Sequence, residues 1–320
     1  MKALRKLAPL LLTALLGDCA TGPDSPDVPG SGVTEPGIKT LQEILPGAYS
    51  NFAQMHGQHA DVAVTDIRIR QLQTIGEPVF LFEKELRGQD TYSHDLYWLK
   101  LNRKTRHAEL HFTRLHDDEL SLPIQDILPI AWQRVLPGCV IPLDRNGDRF
   151  TGQTNPATCV IEHPLQGETR LTRSLAIGRD TMTIKTGVQG AGIREAGDDT
   201  LLELQKHRVF IGWASIRIAK GQQQDEPVAW QLSQVFSTRD DGRLNHLYDQ
   251  QMARLDYGLQ LTRLQRFDGE PPYYQLSIIS LETGQTQAYQ WFQPESEHLN
   301  LNLDWFQASL EPISTADPQP

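Results

Sequence analysis

The sequence predicts a mainly β protein, arranged as an antiparallel barrel or sandwich. Short apolar runs recur from residue 62 to residue 310, and Gly, Pro, Asn and Asp turn signals separate them. The runs 96–101 and 108–115, for example, flank a charged turn at 102–105. Closely spaced strands with short turns favour antiparallel pairing over a parallel sheet with helical crossovers.

Only two segments have the apolar spacing of a helix. Residues 39–45 form the first, which ends at a Pro-Gly pair, and residues 48–54 are expected to continue it as a second turn. Residues 244–255 form the second, with apolar residues three and four positions apart.

The N-terminus has the layout of a bacterial secretory signal. Basic residues precede an apolar run at 7–16, which is too short to cross a bilayer. The Leu-Gly-Asp-Cys sequence that ends at Cys19 resembles a lipobox, so residues 1–19 are predicted to be a lipoprotein signal peptide. We expect an exported, periplasmic protein attached to the outer membrane only through lipid on Cys19. The alternative is an ordinary export signal with an incidental cysteine.

Composition divides the rest of the chain. The 320 residues carry a formal net charge of −10, which argues against nucleic acid as the main partner. Residues 20–37 are predicted to be a flexible tether, 38–193 a first β-rich domain and 194–312 a second β-rich module. The boundary is placed in a Gly-rich, acidic stretch at 187–199, and residues 313–320 are predicted to be a disordered tail.

A candidate stapled hairpin lies within residues 136–159. The Asn146-Gly147 pair predicts a tight turn, and two strands joined there would bring Cys139 and Cys159 towards each other. With Cys19 lipidated, these are the two remaining cysteines, and an oxidising compartment favours their pairing. The alternative is two buried free thiols.

The sequence contains no clear motif for catalysis or metal binding. His107, Glu109 and His111 would share one strand face, but a metal site needs further ligands, and a solvated sheet face explains them better. No hydrolase elbow, phosphate loop or nucleotide fingerprint is present in the sequence, although a site assembled from distant residues remains an alternative. We therefore predict no metal site, and the sequence leaves the catalytic residues unassigned.

Aromatic residues in the first β-rich part are the candidate ligand-binding residues. Tyr92, Tyr97, Trp98 and Trp132 are predicted to line a pocket, because a closed barrel of about eight strands can hold a ligand among such side chains. The alternative is that they are ordinary core residues.

Several motifs in a fixed order resemble the CpcT/CpeT family, the T-type phycobiliprotein chromophore lyases. The sequence GAYSNFAQ at 47–54 follows the first helix, and Gly138-Cys139, FTG at 150–152 and Cys159 come later in the family's order. The resemblance covers about half of the chain. Where the family has Pro-Tyr-Arg, this sequence has TYS at 91–93, so the Arg that would pair with a bilin propionate is replaced.

The resemblance implies a calycin-like (lipocalin-like) antiparallel β-barrel, often dimeric, that holds an open-chain tetrapyrrole. It implies lyase activity that delivers a bilin to a cysteine of an acceptor protein, with no metal or diffusible cofactor. The expected partners are therefore a bilin or other hydrophobic ligand, an acceptor protein and a second copy of the chain. The family's Tyr-x-x-Ser-Glu is replaced here by LTRSL at 171–175.

A second hypothesis is an exported lipoprotein that binds another protein or an envelope component without catalysis. It predicts a filled barrel core and an exposed apolar patch on the second module. The residues expected in that patch are Trp213, Trp230, Trp291 and Trp305.

Overall fold

The computed structural model describes residues 35–55, 63–74, 76–87, 91–105, 107–163, 167–189, 201–218, 229–264 and 271–313. The predicted signal peptide with Cys19, the tether up to residue 34 and the tail from residue 314 lie outside the described residues. Within the described ranges, no helix is both long and apolar enough to cross a membrane.

The first part of the chain forms eleven antiparallel strands. They are β1 (Gly47–Ser50), β2 (Thr65–Leu72), β3 (Val79–Leu86), β4 (Thr91–Leu101), β5 (Ala108–Arg114), β6 (Val140–Asn146), β7 (Arg149–Gln153), β8 (Val160–His163), β9 (Gly167–Ile177), β10 (Thr181–Gln189) and β11 (Leu201–His207). Ten of them form a closed ring in the order β10-β11-β1-β2-β3-β4-β5-β6-β7-β9, because β9 also pairs with β10. Strand β8 pairs with the first residues of β9 and is not part of the ring. The predicted mainly β fold with a calycin-like barrel is confirmed.

A short N-terminal helix, α1 (Glu35–Ile44), packs on the barrel core through its apolar face. The Tyr49 hydroxyl lies 2.9 Å from the carbonyl oxygen of Leu45 and holds the end of the helix against β1. The helix predicted at 39–45 is therefore confirmed, although it begins four residues earlier, inside the predicted tether. The second helical turn expected at 48–54 is wrong in part, because β1 precedes a single turn, α2 (Phe52–Met55).

Apolar side chains pack the barrel interior. Strand side chains alternate between faces, so on β4 Tyr97 and Leu99 point inwards while Leu96 and Trp98 point outwards. Buried residues of this interior cluster include Tyr49, Ile69, Phe80, Phe82, Leu110, Phe112, Ile141, Leu143, Phe150, Leu175 and Ile177. This packing is the filled core expected of the second hypothesis.

A third helix that the sequence pattern did not predict covers part of the outer wall. Helix α3 (Ile124–Gln133) buries Ile127 and Ala131 against the outward faces of β3 and β4. The rings of Trp98 and Trp132 meet edge to face, with centroids 5.2 Å apart. Pro129 inside the helix and the lack of a capping side chain removed the usual helix signals from the sequence.

The hairpin and the disulfide in residues 136–159 are both present. Asn146 pairs with Arg149 across a two-residue turn, and Gly147 has φ 61° at its first central position. The central residues are thus Gly147 and Asp148, one position later than the predicted Asn146-Gly147 pair. Only Gly147 has a positive φ, as in a type II′ turn, whereas both central residues do in a type I′ turn. A disulfide joins Cys139 and Cys159, and both residues are buried in the barrel core.

Removing the disulfide should destabilise the barrel. The bridge closes a loop of 20 residues, so the double variant Cys139→Ser/Cys159→Ser should lose about 3 kcal/mol of unfolding free energy. Urea denaturation of the variant and of the oxidised protein measures the difference. An unchanged transition, with or without reductant, would show that the bridge does not stabilise the fold.

The second part of the chain is a β-sandwich of two antiparallel sheets. Its strands are β12 (Val209–Ile218), β13 (Ala229–Leu232), β14 (Phe236–Arg239), β15 (Asp241–Tyr248), β16 (Arg254–Leu264), β17 (Tyr273–Ser280), β18 (Thr286–Phe292), β19 (Leu299–Asn302) and β20 (Phe306–Ile313). One sheet has the order β13-β12-β20-β19 with β14 also on β12, and the other has the order β15-β16-β17-β18. The buried core between them includes Phe210, Leu247, Leu259, Leu261, Tyr274, Leu276, Ile278, Leu301, Phe306 and Leu310.

Two predictions about this second part are corrected. The boundary at residue 193 falls too early, because β11 closes the barrel and ends at His207. The helix at 244–255 is wrong, since this segment forms β15, a turn and the start of β16. Leu247 and Leu255 reach the same core from two paired strands, whereas Leu244, Tyr248 and Met252, which completed the helix-like spacing, are exposed.

Buried ion pairs join the barrel to the sandwich. Asp66, on the outer face of β2, accepts hydrogen bonds from both terminal nitrogens of Arg243 in β15 at 3.0 and 2.9 Å. Arg239 of β14 lies 2.6 Å from Asp66, and Arg87 of the barrel lies 3.2 Å away. Burial opposes ionisation of Asp66, but Arg243 and Arg239 outweigh it and hold its pKa well below the ordinary range.

Asp66→Asn should weaken the junction, because it leaves buried guanidinium groups without their counter-charge. We expect a loss of about 3 kcal/mol or more of unfolding free energy at pH 7. The pKa of Asp66 is lower in the folded state, so its contribution is complete above the unfolded carboxyl pKa of about 4 and disappears as pH falls through the folded pKa. Urea denaturation of both proteins at pH 7 and in acid measures this difference.

Asp148→Asn at the exposed hairpin tip is the control, and it should leave stability unchanged. Equal stability of Asp66→Asn and the unmodified protein at pH 7 would contradict a stabilising role for the junction.

Candidate functional site

The four aromatic residues predicted to bind ligand do not share one surface. Tyr97 lies inside the barrel, with 2% of its surface exposed. Trp98 points to the outer wall, where it contacts Trp132 of α3, and Tyr92 is 61% exposed. The prediction of one pocket lined by all four is therefore corrected. Positions 92 and 98 differ in strand parity from position 97, so an interior Tyr97 places the other two outside.

A charged group lies inside the barrel beside Tyr97. Arg173 of β9 alternates with Leu171 and Leu175, which both face the core, and it therefore points inwards. Its Nη1 donates a 2.8 Å hydrogen bond to the Tyr97 hydroxyl and lies 3.4 Å from Oδ2 of Asp95.

Aromatic rings surround this guanidinium. Arg173 lies 4.5 Å from the ring centroid of Phe112, in cation–π geometry. Tyr97 packs between Phe112 and Phe82, with centroid distances of 5.6 and 4.2 Å. The side chains of Arg173 and Asp95 keep 13% and 17% of their surface exposed, so solvent reaches the edge of the group.

The charges of the group favour an anionic guest. Burial raises the pKa of Tyr97 to about 12, so the phenol is neutral at physiological pH. Burial opposes the charge of Arg173, but the Asp95 carboxylate and the hydrogen bond to Tyr97 favour it, and the pKa of Arg173 is raised. Arg114, mostly exposed, also lies 3.4 Å from Asp95, so two guanidinium groups share one carboxylate. Among the described residues, Nε of Arg173 is buried without a hydrogen-bond partner.

Sequence reasoning did not select Arg173, although a signal for it was present. In LTRSL at 171–175, an arginine occupies the inward phase of a strand whose other inward residues are apolar. A charged residue in that phase is uncommon in a barrel core unless it has a partner or binds a ligand. Arg173 thus places a guanidinium inside the barrel, beside Tyr97.

The three residues considered for a metal site lie on the outer wall. Nε2 of His111 lies 3.3 Å from Oε2 of Glu109, and His107 lies 3.5 Å from Asp144. His111 also packs against Trp132, and burial lowers the pKa of its imidazole. All three side chains are half-buried, His111 beneath Trp132 of α3, so this is not the solvated face that was predicted. No cluster of potential metal ligands occurs among the residues that the structure describes.

The sandwich exposes aromatic residues on both of its sheets. On the outer face of β12 and β13, Trp230 lies opposite Arg217, and Trp213 lies diagonally from Leu232. The exposed fractions of Trp213, Trp230 and Leu232 are 39%, 38% and 48%, and we call these three residues the tryptophan face.

The remaining two tryptophans of the predicted patch lie elsewhere. Trp291 is exposed beside Tyr289 on β18 of the other sheet. Trp305 packs against the sandwich core, with its ring 5.0 Å from that of Tyr257, and is not part of an exposed patch.

The class of protein is defined by the fold: a calycin-like ten-stranded barrel followed directly by a β-sandwich. Comparison with protein-family models and with curated proteins gives no match. The resemblance to the CpcT/CpeT family therefore rests on the ordered motifs and is kept as a proposal.

Proposed function

We propose that the barrel binds an elongated apolar ligand with a carboxylate, of the open-chain tetrapyrrole class. The single observation that supports this most strongly is the buried Nε of Arg173, which has no hydrogen-bond partner among the described residues, inside a mostly apolar barrel. A guanidinium presents parallel N–H donors that match a carboxylate, and leaving one unpaired in a protein interior is costly. A bound carboxylate removes that cost.

The surroundings of Arg173 match the rest of such a ligand. Phe82, Tyr97 and Phe112 form a row of aromatic rings against which a flat conjugated ligand can pack. A bilin carries two propionates on such a conjugated chain, and a second carboxylate would meet Arg114 at the exposed edge. Entry requires these side chains to move, because the interior is packed in the structure.

Transfer of the ligand to a cysteine of an acceptor protein is part of the same proposal and is supported by the family resemblance alone. The proposed lyase activity has no assigned catalytic residue.

Biliverdin should bind, and Arg173→Met should weaken the binding by about tenfold or more, because a charged hydrogen bond is lost. The measurement is a visible absorption titration at ligand concentrations up to about 50 µM, where a specific site fills. Arg173→Lys, which keeps the charge but not the fork, should retain part of the affinity.

Arg170→Gln is the matched control, since Arg170 lies on the same strand but is exposed on the opposite face. It should bind biliverdin like the unmodified protein, and so should Trp132→Ala on the outer wall. No spectral shift, or an equal loss in Arg170→Gln, would exclude the proposed barrel site.

A second candidate function, binding of an envelope component without catalysis, is favoured by the tryptophan face. Tryptophan side chains concentrate at membrane–water interfaces, and a lipid on Cys19 would keep the sandwich close to a bilayer. In this hypothesis Trp213, Trp230 and Leu232 rest on a lipid surface.

Trp213→Ala/Trp230→Ala should lower sedimentation with phosphatidylcholine vesicles at least about tenfold, because the burial of two large aromatic side chains is lost. The contrast variant is Tyr289→Ala/Trp291→Ala, which removes exposed aromatic residues from the other sheet and should have no effect. Equal loss in both variants would show that the tryptophan face has no specific role.

A further inference from the structure

A cleft of roughly 770 Å³ lies where the barrel meets the sandwich. Ligand sites occur preferentially at junctions of this kind. The residues that line it are Glu43, Ile44, Pro46, Arg179, Asp180, Lys206, His207, Arg208, Arg263, Pro312 and Ile313. Four of them carry positive charge and two carry negative charge, although the whole chain has a net charge of −10. The cleft is thus locally cationic in an acidic protein.

Neutral oxygen atoms hold three of these cations in place. Nζ of Lys206 donates to the carbonyl oxygen of Ile44 at 2.7 Å, and Nη2 of Arg263 donates to the carbonyl oxygen of Lys206 at 2.7 Å. Nη1 of Arg208 donates to the hydroxyl of Tyr274 at 3.0 Å and to the carbonyl oxygen of Pro294 at 3.1 Å. These bonds fix the side chains without neutralising their charge, so the site is preorganised for an anion.

Carboxylates compensate only part of the charge. Burial, together with the charge of Arg179, holds the pKa of Lys206 below its ordinary value. The carboxylate of Asp180 opposes this shift but does not cancel it. Asp240 lies in the junction, 3.8 Å from Nε of Arg263 and 3.1 Å from Nδ1 of His207. A bound anion would relieve the repulsion between these cations.

His207, in the wall of the cleft, adds an independent observation. It is 6% exposed, and in the described part of the chain its Nε2 is buried without a hydrogen-bond partner. Nδ1 of the same ring is engaged by Asp240, which also accepts the backbone N–H of Arg208 at 3.0 Å. In a neutral ring whose Nδ1–H donates to Asp240, Nε2 is an acceptor; a ring that takes up a second proton together with the anion would present Nε2–H as a donor to it, after a small shift of the wall.

We propose that this cleft binds the phosphoryl group of a phosphorylated ligand. Arginine guanidinium groups and lysine ammonium groups are the usual partners of phosphate oxygens. Four cations around one cleft are more than a ligand with one carboxylate would need, and they suit a phosphoryl group. The phosphoryl group belongs either to a free solute or to a phospholipid headgroup. This proposal is independent of the barrel ligand, since none of the residues that line the cleft is part of the group around Arg173.

Titration calorimetry of the full chain with inorganic pyrophosphate, at constant ionic strength, tests the free-solute arm. Sedimentation with phosphatidylglycerol vesicles, compared with phosphatidylcholine vesicles, tests the headgroup arm. Arg179→Glu, which changes an exposed side chain, should weaken whichever binding occurs by about tenfold. His207→Gln should weaken it as well, and its fold is checked by thermal denaturation.

Arg217→Gln is the matched control, because Arg217 is exposed near the far end of β12. It should bind the same ligand as the unmodified protein does. Loss of binding in Arg179→Glu but not in Arg217→Gln would support the cleft, in whichever arm it appears. No binding in either arm, or equal losses in both variants, would overturn the proposal. Arg173→Met should not change this binding, so the two proposals fail separately.

Discussion

Asp66 is the carboxylate on which the junction of the molecule depends. It sits on the outer wall of the barrel, and guanidinium groups from both units surround it. Arg243 also bonds to Ser50 of β1 and to Asp241 of its own strand, so one buried side chain ties two barrel strands to the sandwich. These bonds hold β14 and β15 against the barrel wall, and the cationic cleft lies at the same junction of barrel and sandwich.

Local signals in the sequence predicted those parts of the fold that neighbouring residues determine. The hairpin at Gly147, the alternation on β4 and β5 and the helix before Pro46 follow from backbone preferences, and the structure confirms them. The helix expected at 244–255 shows where such signals fail. Its apolar spacing arose from two strands that meet across a turn, and only the pairing of β15 with β16 distinguishes the two arrangements.

The candidate site was harder to predict than the fold. Choosing aromatic residues by type selected Tyr97 correctly as an interior residue, but the same criterion selected Trp98 one position away, on the other face. Alternation along the strand places the two side chains on opposite faces. To use it, one must already know which face at least one residue of the strand points to. Arg173 and His207 were missed for another reason: their partners lie 76 and 33 residues away in the chain, so their setting exists only in the folded molecule.

The direct succession of β11 and β12 has a mechanical consequence. His207 ends the strand that closes the barrel, and Val209 begins the central strand of the first sandwich sheet, so a single residue separates the two strands. A force that pulls on the sandwich would be transmitted through this link along the axis of β11. The hydrogen bonds between β11 and its neighbours β1 and β10 would then be loaded in shear. The strand that completes the ring is therefore joined to the sandwich by the backbone, while β1 and β2 are joined to it by the side chain of Arg243.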